Sequence, residues 1–243
     1  MKFVRLPNKQ MREILGRPIT AHIIDRLKTS TLAQRIVLTT STHPDDAVFA
    51  DLARQEGIDF FKGSPEDRLE RYLHAADHFR ADFVVVVDGD DPFCDPEIID
   101  ETIRRYQKSN ADYTSCKNLP LGVTSHGLKV EALRQICARK QDDEPELWVG
   151  YFTETGLFKV DLFEPDPALR RPEFRMTLDY PEDFAFFSAV FQNLYTPGQV
   201  FTLRQILDLL DHHPEIAALN SRCKAIYEEN LQRIRKPISW RSS

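Results

Sequence analysis

Four consecutive valines, Val84 to Val87, run straight into Asp88-Gly89-Asp90-Asp91, and this junction restricts the fold more than any other stretch. A short β-branched run without polar alternation reads as a strand buried on both faces, as in a parallel sheet. Asp95 and Pro96 then occupy the N-cap and first-turn positions of the next helix. The carboxylates therefore gather at the C-terminal end of a central strand, where open α/β sheets bind their ligands. Carboxylates crowded there repel one another unless a cation or a hydrogen-bond network neutralises them. A polar turn with Asp at ordinary capping positions accounts for part of this pattern. A divalent-metal site that handles a phosphorylated ligand is the stronger reading.

The rest of the first half has the alternation that such a sheet requires. Pro18 to Lys28 places Ile19, Ile23, Ile24 and Leu27 on one helical face. Arg35 to Thr40 is a buried strand ending in hydroxyls. Pro44 to Gln55 is a helix stopped by Gly57, and Asp59 to Lys62 a short strand. Ser64, with Pro65 at the first helical position and an acid at the third, is expected to cap a helix running to Phe79. Strands separated by helical runs indicate βαβ units.

The second half changes character. Thr114 to Gly127 is loop-like and suited to fold over a ligand, and Glu131 to Arg139 is helical. Tyr151 to Phe163, rich in aromatic and β-branched residues, is expected to form a hairpin or sheet extension. Pro181 opens a helix with Phe184, Phe187, Val190 and Phe191 on one stripe. Thr202 with Gln205 forms a capping box, and a final helix spans roughly Ser221 to Ile234. A length of 243 residues suits one large α/β domain, residues 1–243, with 221–243 as a helical tail. No repeat or linker divides it.

Composition narrows the function. Apolar residues at 42% and charged residues at 29% describe an ordinary globular protein, and a net charge of −6 argues against a general nucleic-acid binder. No apolar stretch approaches a membrane span and no signal peptide precedes the polar start. Cys94, Cys116, Cys137 and Cys223 are too unevenly spaced for a zinc site or disulfide framework. Reduced thiols in a cytoplasmic protein are expected.

Two further segments carry chemistry. Arg5-Leu6-Pro7-Asn8-Lys9 sets two cations around a rigid turn, able to meet phosphates with help from backbone amides. In Arg175-Met176-Thr177-Leu178-Asp179-Tyr180-Pro181-Glu182-Asp183, a short strand delivers Asp179 to a turn before a proline-started helix. Each alone has an ordinary explanation, a solvated basic terminus or an Asp N-cap.

Together they resemble the cytidylyltransferases of the spore-coat polysaccharide type, related to acylneuraminate and Kdo cytidylyltransferases. Arg5 to Lys9 matches that family's Arg-Leu-Pro-Gly-Lys loop except at Asn8. Gly89 to Pro96 matches its Gly-Asp-Cys-Pro-Leu-Ile-Asp-Pro segment, and Met176 to Asp183 its Leu-Thr-Leu/Val-Asp-x-Pro-Glu-Asp segment. Gly63-Ser64 with Asp67 to Tyr72 is similar to a Gly-Ser-x-x-Asp-x-Leu-x-Arg-Tyr segment near the nucleotide. His213 to Asn220 also fits, so the likeness covers nearly the whole chain.

The resemblance implies a single-domain, doubly wound, mostly parallel α/β sheet of the nucleotide-diphospho-sugar transferase type, Rossmann-like. It implies transfer of a nucleotide from CTP to a sugar or sugar acid, with release of pyrophosphate. Asp90 and Asp179 would hold Mg²⁺, and Arg5, Lys9 and Asp90 would be catalytic. Arg5, Lys9, Thr40, Ser64, Arg71 and Asp88 would bind the nucleotide, and His126 and Trp148 the acceptor. Catalysis would rest on in-line positioning and charge neutralisation. A homodimer is expected, because Tyr151 to Phe163 is more apolar than a surface hairpin.

Departures from the family pattern mark where to look. Only Met1 to Val4 precede Arg5, whereas the family has a full central strand there. An unpaired edge is therefore expected between the Arg35 and Val84 strands, with low stability and weak activity. The acceptor segments also differ, at Gly122-Val123-Thr124-Ser125-His126 and Glu146-Leu147-Trp148-Val149-Gly150. Two other readings remain open. Asp88-Gly89-Asp90 is an Asp-x-Asp, as in metal-dependent glycosyltransferases, and the short start suits a non-catalytic binding subunit.

Overall fold

The computed structural model describes residues 6–141, 148–235 and 237–241. The chain opens with a small hairpin, β1 (Glu13–Ile14) against β2 (Arg17–Pro18). It turns on Leu15 and Gly16, whose φ angles of 51° and 74° suit a hairpin's twist. In α1 (Ile19–Leu27) the isoleucines are buried as their spacing predicts. Arg26 is buried with them, donating from Nε to the Cys94 carbonyl (2.7 Å) and from Nη1 to that of Phe201 (2.8 Å).

Next come β3 (Val37–Ser41), α2 (Val48–Glu56) and β4 (Asp59–Gly63), with β3 and β4 paired in parallel. The strand begins two residues later than expected, because β4 starts at Asp59, which pairs with Val37 and leaves Arg35 ahead of the ladder. Gly57 ends α2 at a φ of 65°, a left-handed conformation that glycine adopts without strain.

The cap of α3 (Arg68–Phe79) is Asp67, not Ser64. The Asp67 carboxylate accepts from the Glu70 amide at 3.0 Å, while the Ser64 hydroxyl accepts from the Asp67 amide at 3.1 Å. Asp67 is also buried against the Lys140 ammonium, which anchors it as the stronger acceptor and leaves Pro65 and Glu66 in the turn. By contrast, Asp95 caps α4 (Pro96–Ser109) as expected, accepting from Glu97 (2.9 Å) and Ile98 (3.2 Å). A cap of this kind is worth about 1 kcal/mol.

Between and after these helices run β5 (Phe83–Val86), β6 (Tyr113–Cys116), β7 (His126–Lys129), α5 (Val130–Arg139), α6 (Val149–Thr153) and β8 (Val160–Phe163). The strand order is β5-β7-β6-β8. β5, β6 and β8 point one way and only β7 runs against them, so the mostly parallel α/β class holds. Of the expected loop over 114–127, only its middle is irregular. Its ends belong to the β6 and β7 ladders.

Tyr151 to Phe163 forms no hairpin, but its end, β8, extends the sheet beside β6, the other form expected of it. Tyr151 and Phe152 lie on α6, almost fully buried in the protein's own core, and Tyr151 packs edge-on to Trp240 at 5.1 Å. These aromatics are satisfied internally, so they do not form the apolar patch from which a dimer was expected.

The second half ends in helices α7 (Pro181–Leu194), α8 (Leu203–His212), α9 (Pro214–Ala218) and α10 (Ser221–Ile234). Apolar cores lie on both faces of the sheet. Leu69, Leu73, Leu128, Leu133 and Phe152 fill one, and Ile19, Phe93, Ile98, Phe163 and Phe187 the other.

A seam divides the sheet. β3 pairs with β4 and β5 with β7, and among the described residues no ladder joins β3 to β5. A cavity of about 640 Å³ lies there, bounded by Val37 and Thr39 on one side and Val84 to Val87 on the other. α3 covers it through Ala76 and Phe79, and α4 through Ile103 and Tyr106. The sequence predicts an unpaired edge at this place unless the first residues fill it. Whether residues 1–4 bear on it lies outside the described residues.

Candidate active site

The loops after the strands are stitched together through the main chain. The Leu178 amide donates to the Asp90 carbonyl at 2.8 Å, and the Leu6 amide to the Asp179 carbonyl at 2.8 Å. The 117–125 loop joins the same seam, with the Met176 amide donating to the Leu121 carbonyl at 2.6 Å. This approach demands glycine at 122. Its φ is 92°, and a Cβ there would lie 2.3 Å from the Met176 carbonyl oxygen.

These stitches bring the two acidic segments to one cation. Lys9 Nζ donates to Asp90 Oδ2 at 2.5 Å and to Asp179 Oδ1 at 2.9 Å. Burial alone would lower the Lys9 ammonium's pKa. Asp90 and then Asp179 outweigh it and hold it above the usual lysine value. Burial likewise works to raise the Asp179 carboxyl, but Lys9 and Arg175 hold it below the carboxylate norm.

Ligand atoms of Asp88, Asp90 and Asp91 all lie within 4.8 Å of one another. Burial, and then the Asp90 charge, push the Asp88 carboxyl up. Asp91 is pushed well up by burial and then by both neighbours. Asp88 and Asp91 are thus both harder to ionise than an ordinary carboxyl, while Asp90 turns to Lys9. Asp90 and Asp179 are the two carboxylates that meet the Lys9 cation at the cavity wall.

The cavity before them measures about 1180 Å³, enough for a nucleotide together with a second substrate. Lys9, Thr40, Arg71, Asp88, Asp90, His126, Trp148 and Asp179, all singled out from sequence, line it. Thr40 has its hydroxyl committed to Asp46 Oδ2 at 2.7 Å, so it faces a ligand as an acceptor. Arg71 is held by Nη1 on the Ser64 carbonyl at 2.7 Å. Gly63 leaves room for it, since a Cβ there would meet Arg71 Cγ at 2.8 Å.

Ser64 itself stands apart. It does not line the cavity, and its hydroxyl serves the turn before α3. Arg5 lies outside the described residues.

On the far wall, His126 Nδ1 is 2.6 Å from the Tyr113 hydroxyl, and its ring meets Trp148 edge-on at 5.2 Å. Burial pushes this imidazole down to about 4, so it is neutral near pH 7. It is a hydrogen-bonding group there, not a charge.

Sequence reasoning gave no role to Arg68, Tyr227 or Arg175. Arg68 and Tyr227 line the cavity, one from the first turn of α3 and the other from α10. Arg175 is buried behind Asp179. Its only sequence signal was its place at the head of the Asp179 segment.

Comparison with known proteins agrees with this geometry. A family profile described as cytidylyltransferase matches residues 3–156. The Methanocaldococcus jannaschii protein MJ1063 is 32% identical over 222 residues, 90% of either chain. The spore coat polysaccharide biosynthesis protein SpsF of Bacillus subtilis is 25% identical over 224 residues, 89% of this chain and 93% of SpsF. A solved structure of a cytidylyltransferase from Leptospira borgpetersenii shares the fold with a TM-score of 0.79. Its identity is 21%, covering 88% of this chain and 91% of that one. The profile spans more than half of the chain and a relative 32% identical covers 90% of it, so this chain belongs to the cytidylyltransferase family.

Proposed function

We propose that this protein transfers the cytidylyl group of CTP to a hydroxyl of a sugar or sugar acid, in the synthesis of a surface polysaccharide or glycan. The acceptor hydroxyl gives up its proton to solvent as its oxygen attacks the α-phosphorus, the bond to the β-phosphate bridging oxygen breaks, and pyrophosphate leaves. The observation that carries this reading is the meeting of Asp90, Asp179 and Lys9 at the mouth of a nucleotide-sized cavity. That arrangement offers one cation to phosphates and two carboxylates to a metal.

Asp90 and Asp179 suit a divalent cation. Both are hard oxygen donors from separate loops, and their inner oxygens already converge on one positive charge, the Lys9 ammonium. They would hold Mg²⁺, which when bound polarises the α-phosphate as a Lewis acid. Lys9 moves from the carboxylates to the β- and γ-phosphates and offsets charge on departing pyrophosphate. Arg71 and Asp88 bound the nucleotide side of the cavity. His126 and Trp148 receive the acceptor, the neutral imidazole through hydrogen bonds. Little covalent chemistry falls to the protein, and catalysis rests on alignment and charge.

Location and assembly follow from other features. Four unbridged cysteines support a cytoplasmic setting, and no described helix is long and apolar enough to cross a membrane. A second copy would seat along β8, where Leu157 and Leu162 are about half exposed. Light scattering at micromolar concentration tests the pairing, and a monomer refutes it.

The function is tested by incubating the protein with CTP, Mg²⁺ and a panel of sugar acids and sugar phosphates while following pyrophosphate. Acceptor-dependent release is expected. A glycosyltransferase would instead consume a ready-made nucleotide sugar without pyrophosphate, and a binding subunit would turn nothing over. Either result overturns the proposal.

A further inference from the structure

We infer that Arg175 is a positioning residue that fixes how Asp179 presents its carboxylate, and through it the affinity of the site for a divalent cation. The two oxygens of Asp179 are divided between the two faces of the loop. Oδ1 faces the cavity and accepts from Lys9 at 2.9 Å, while Oδ2 accepts from Arg175 Nη2 at 2.8 Å on the buried side. With Oδ2 claimed from behind, Asp179 offers one oxygen forward, in one orientation.

Arg175 is itself held rigid. Its Nε and Nη2 donate to the two oxygens of Asp183 at 2.9 and 3.0 Å. Asp183 Oδ2 also accepts from the backbone amides of Asp179 (2.9 Å) and Tyr180 (3.0 Å), so one carboxylate clamps both the guanidinium and the Asp179 main chain. From the start of α10, Asn220 Nδ2 donates to Asp183 Oδ1 at 2.9 Å and to the Arg175 carbonyl at 3.1 Å. The rings of Tyr180 and Tyr227 lie 5.5 and 4.9 Å from the guanidinium carbon.

Stability alone is a poor reason for this arrangement. The side chains of Arg175 and Asp183 are 1% and 0% exposed, and burying such a pair costs desolvation that apolar packing would avoid. Arg175 Nη1 is moreover buried without a hydrogen-bond partner, a further cost. The network's geometric product is the aim of one carboxylate at the cavity, as outer-shell partners do for metal ligands.

This inference rests on Asp179 being a metal ligand, so Asp179→Asn is measured alongside. Mn²⁺ is the probe. Its binding to the protein without nucleotide is followed by loss of the free-ion EPR signal, and turnover is measured against Mn²⁺ and CTP separately. Arg175→Met is expected to weaken Mn²⁺ binding about tenfold, in the range seen for outer-shell substitutions. At saturating Mn²⁺, its kcat and its KM for CTP should stay near those of the unmodified protein. Arg175→Lys should recover part of the affinity, and Asn220→Ala, a milder loosening that carries the test if Arg175→Met fails to fold, should weaken it less. Unchanged Mn²⁺ affinity in these variants, or a kcat loss that excess Mn²⁺ does not restore, overturns the inference. If Asp179→Asn itself binds Mn²⁺ normally, the metal-ligand reading falls first.

Discussion

The carbonyl of Asp90 accepts the amide of Leu178 at 2.8 Å, so the loops bearing Asp90 and Asp179 are joined by main chain before their side chains meet. This bond, with Leu6 to Asp179 beside it, makes the spacing of the acidic pair a property of the backbone. Substitutions of the acidic side chains should therefore alter chemistry more than architecture.

Asp90→Asn and Asp179→Asn each remove a charged donor while preserving shape. Each should lower kcat by roughly 10²–10³-fold, about 3–4 kcal/mol of transition-state stabilisation; the Asp90 variant should melt near the parent, and the Asp179 variant earlier, because buried Arg175 loses a charged partner. Steady-state pyrophosphate release beside a thermal melt checks both halves. Near-normal turnover by the Asp90 variant would remove it from the site.

Lys9→Met should separate two roles of one ammonium. Turnover should fall by about a hundredfold as phosphate charge goes uncompensated. Mn²⁺ binding to the nucleotide-free protein should instead tighten, because Asp90 and Asp179 lose their internal cation. Calorimetric titration with Mn²⁺ measures this, and weaker binding than in the unmodified protein would contradict the shared position.

His126 gives stability a pH slope of known sign. Its folded pKa of about 4 lies below the ordinary 6.5, so between those values the unfolded chain binds a proton that the folded chain refuses. The contribution is complete above pH 6.5 and drains away as pH falls toward 4. From pH 7.5 to 4.5, the protein should lose about 2–3 kcal/mol more than His126→Gln does. Urea unfolding of both at the two pH values gives the difference. Parallel pH profiles would mean that the imidazole is not shielded.

Gly122→Ala should cost about 2 kcal/mol or more, since alanine is strained at a φ of 92° and its Cβ strikes the Met176 carbonyl. Because that carbonyl sits in the segment leading to Asp179, which forms only an isolated bridge at Arg175 and not the short strand expected, the KM for metal should rise as well. A variant as stable as the parent would show that the 117–125 loop yields freely.

Much of this site could be read from residues alone because its chemistry is local. A valine run ending in acids, and a cap-and-proline pair at Asp95-Pro96, are signals within a few positions. Asp67 shows the limit. Ser64-Pro65 has the better cap signature, but Lys140, far along the chain, makes Asp67 the anchored acceptor. Arg175 was opaque for the same reason, since its partners Asp183 and Asn220 come together only after α7 and α10 fold back. The aromatics at Tyr151 and Phe152 misled because a β-rich composition does not reveal that Trp240 will cover the first and Tyr113 and Trp148 the second. Arg68 and Tyr227 entered the cavity from elements whose sequence reads as ordinary amphipathic helix.

Among the described residues, the seam between β3 and β5 shapes the sheet like a caliper. Thr40 stands at the end of one jaw and Asp88 just beyond the other, and both border the same cavity. The opening between these walls is consequently set by strand spacing, more than by the side chains that line it. α3 and α4 span the seam from opposite faces, so the packing of Ala76, Phe79 and Tyr106, well away from any substrate, gauges the width of the nucleotide cleft. Volume changes at those positions would register as altered grip on the ligand, with every lining residue intact.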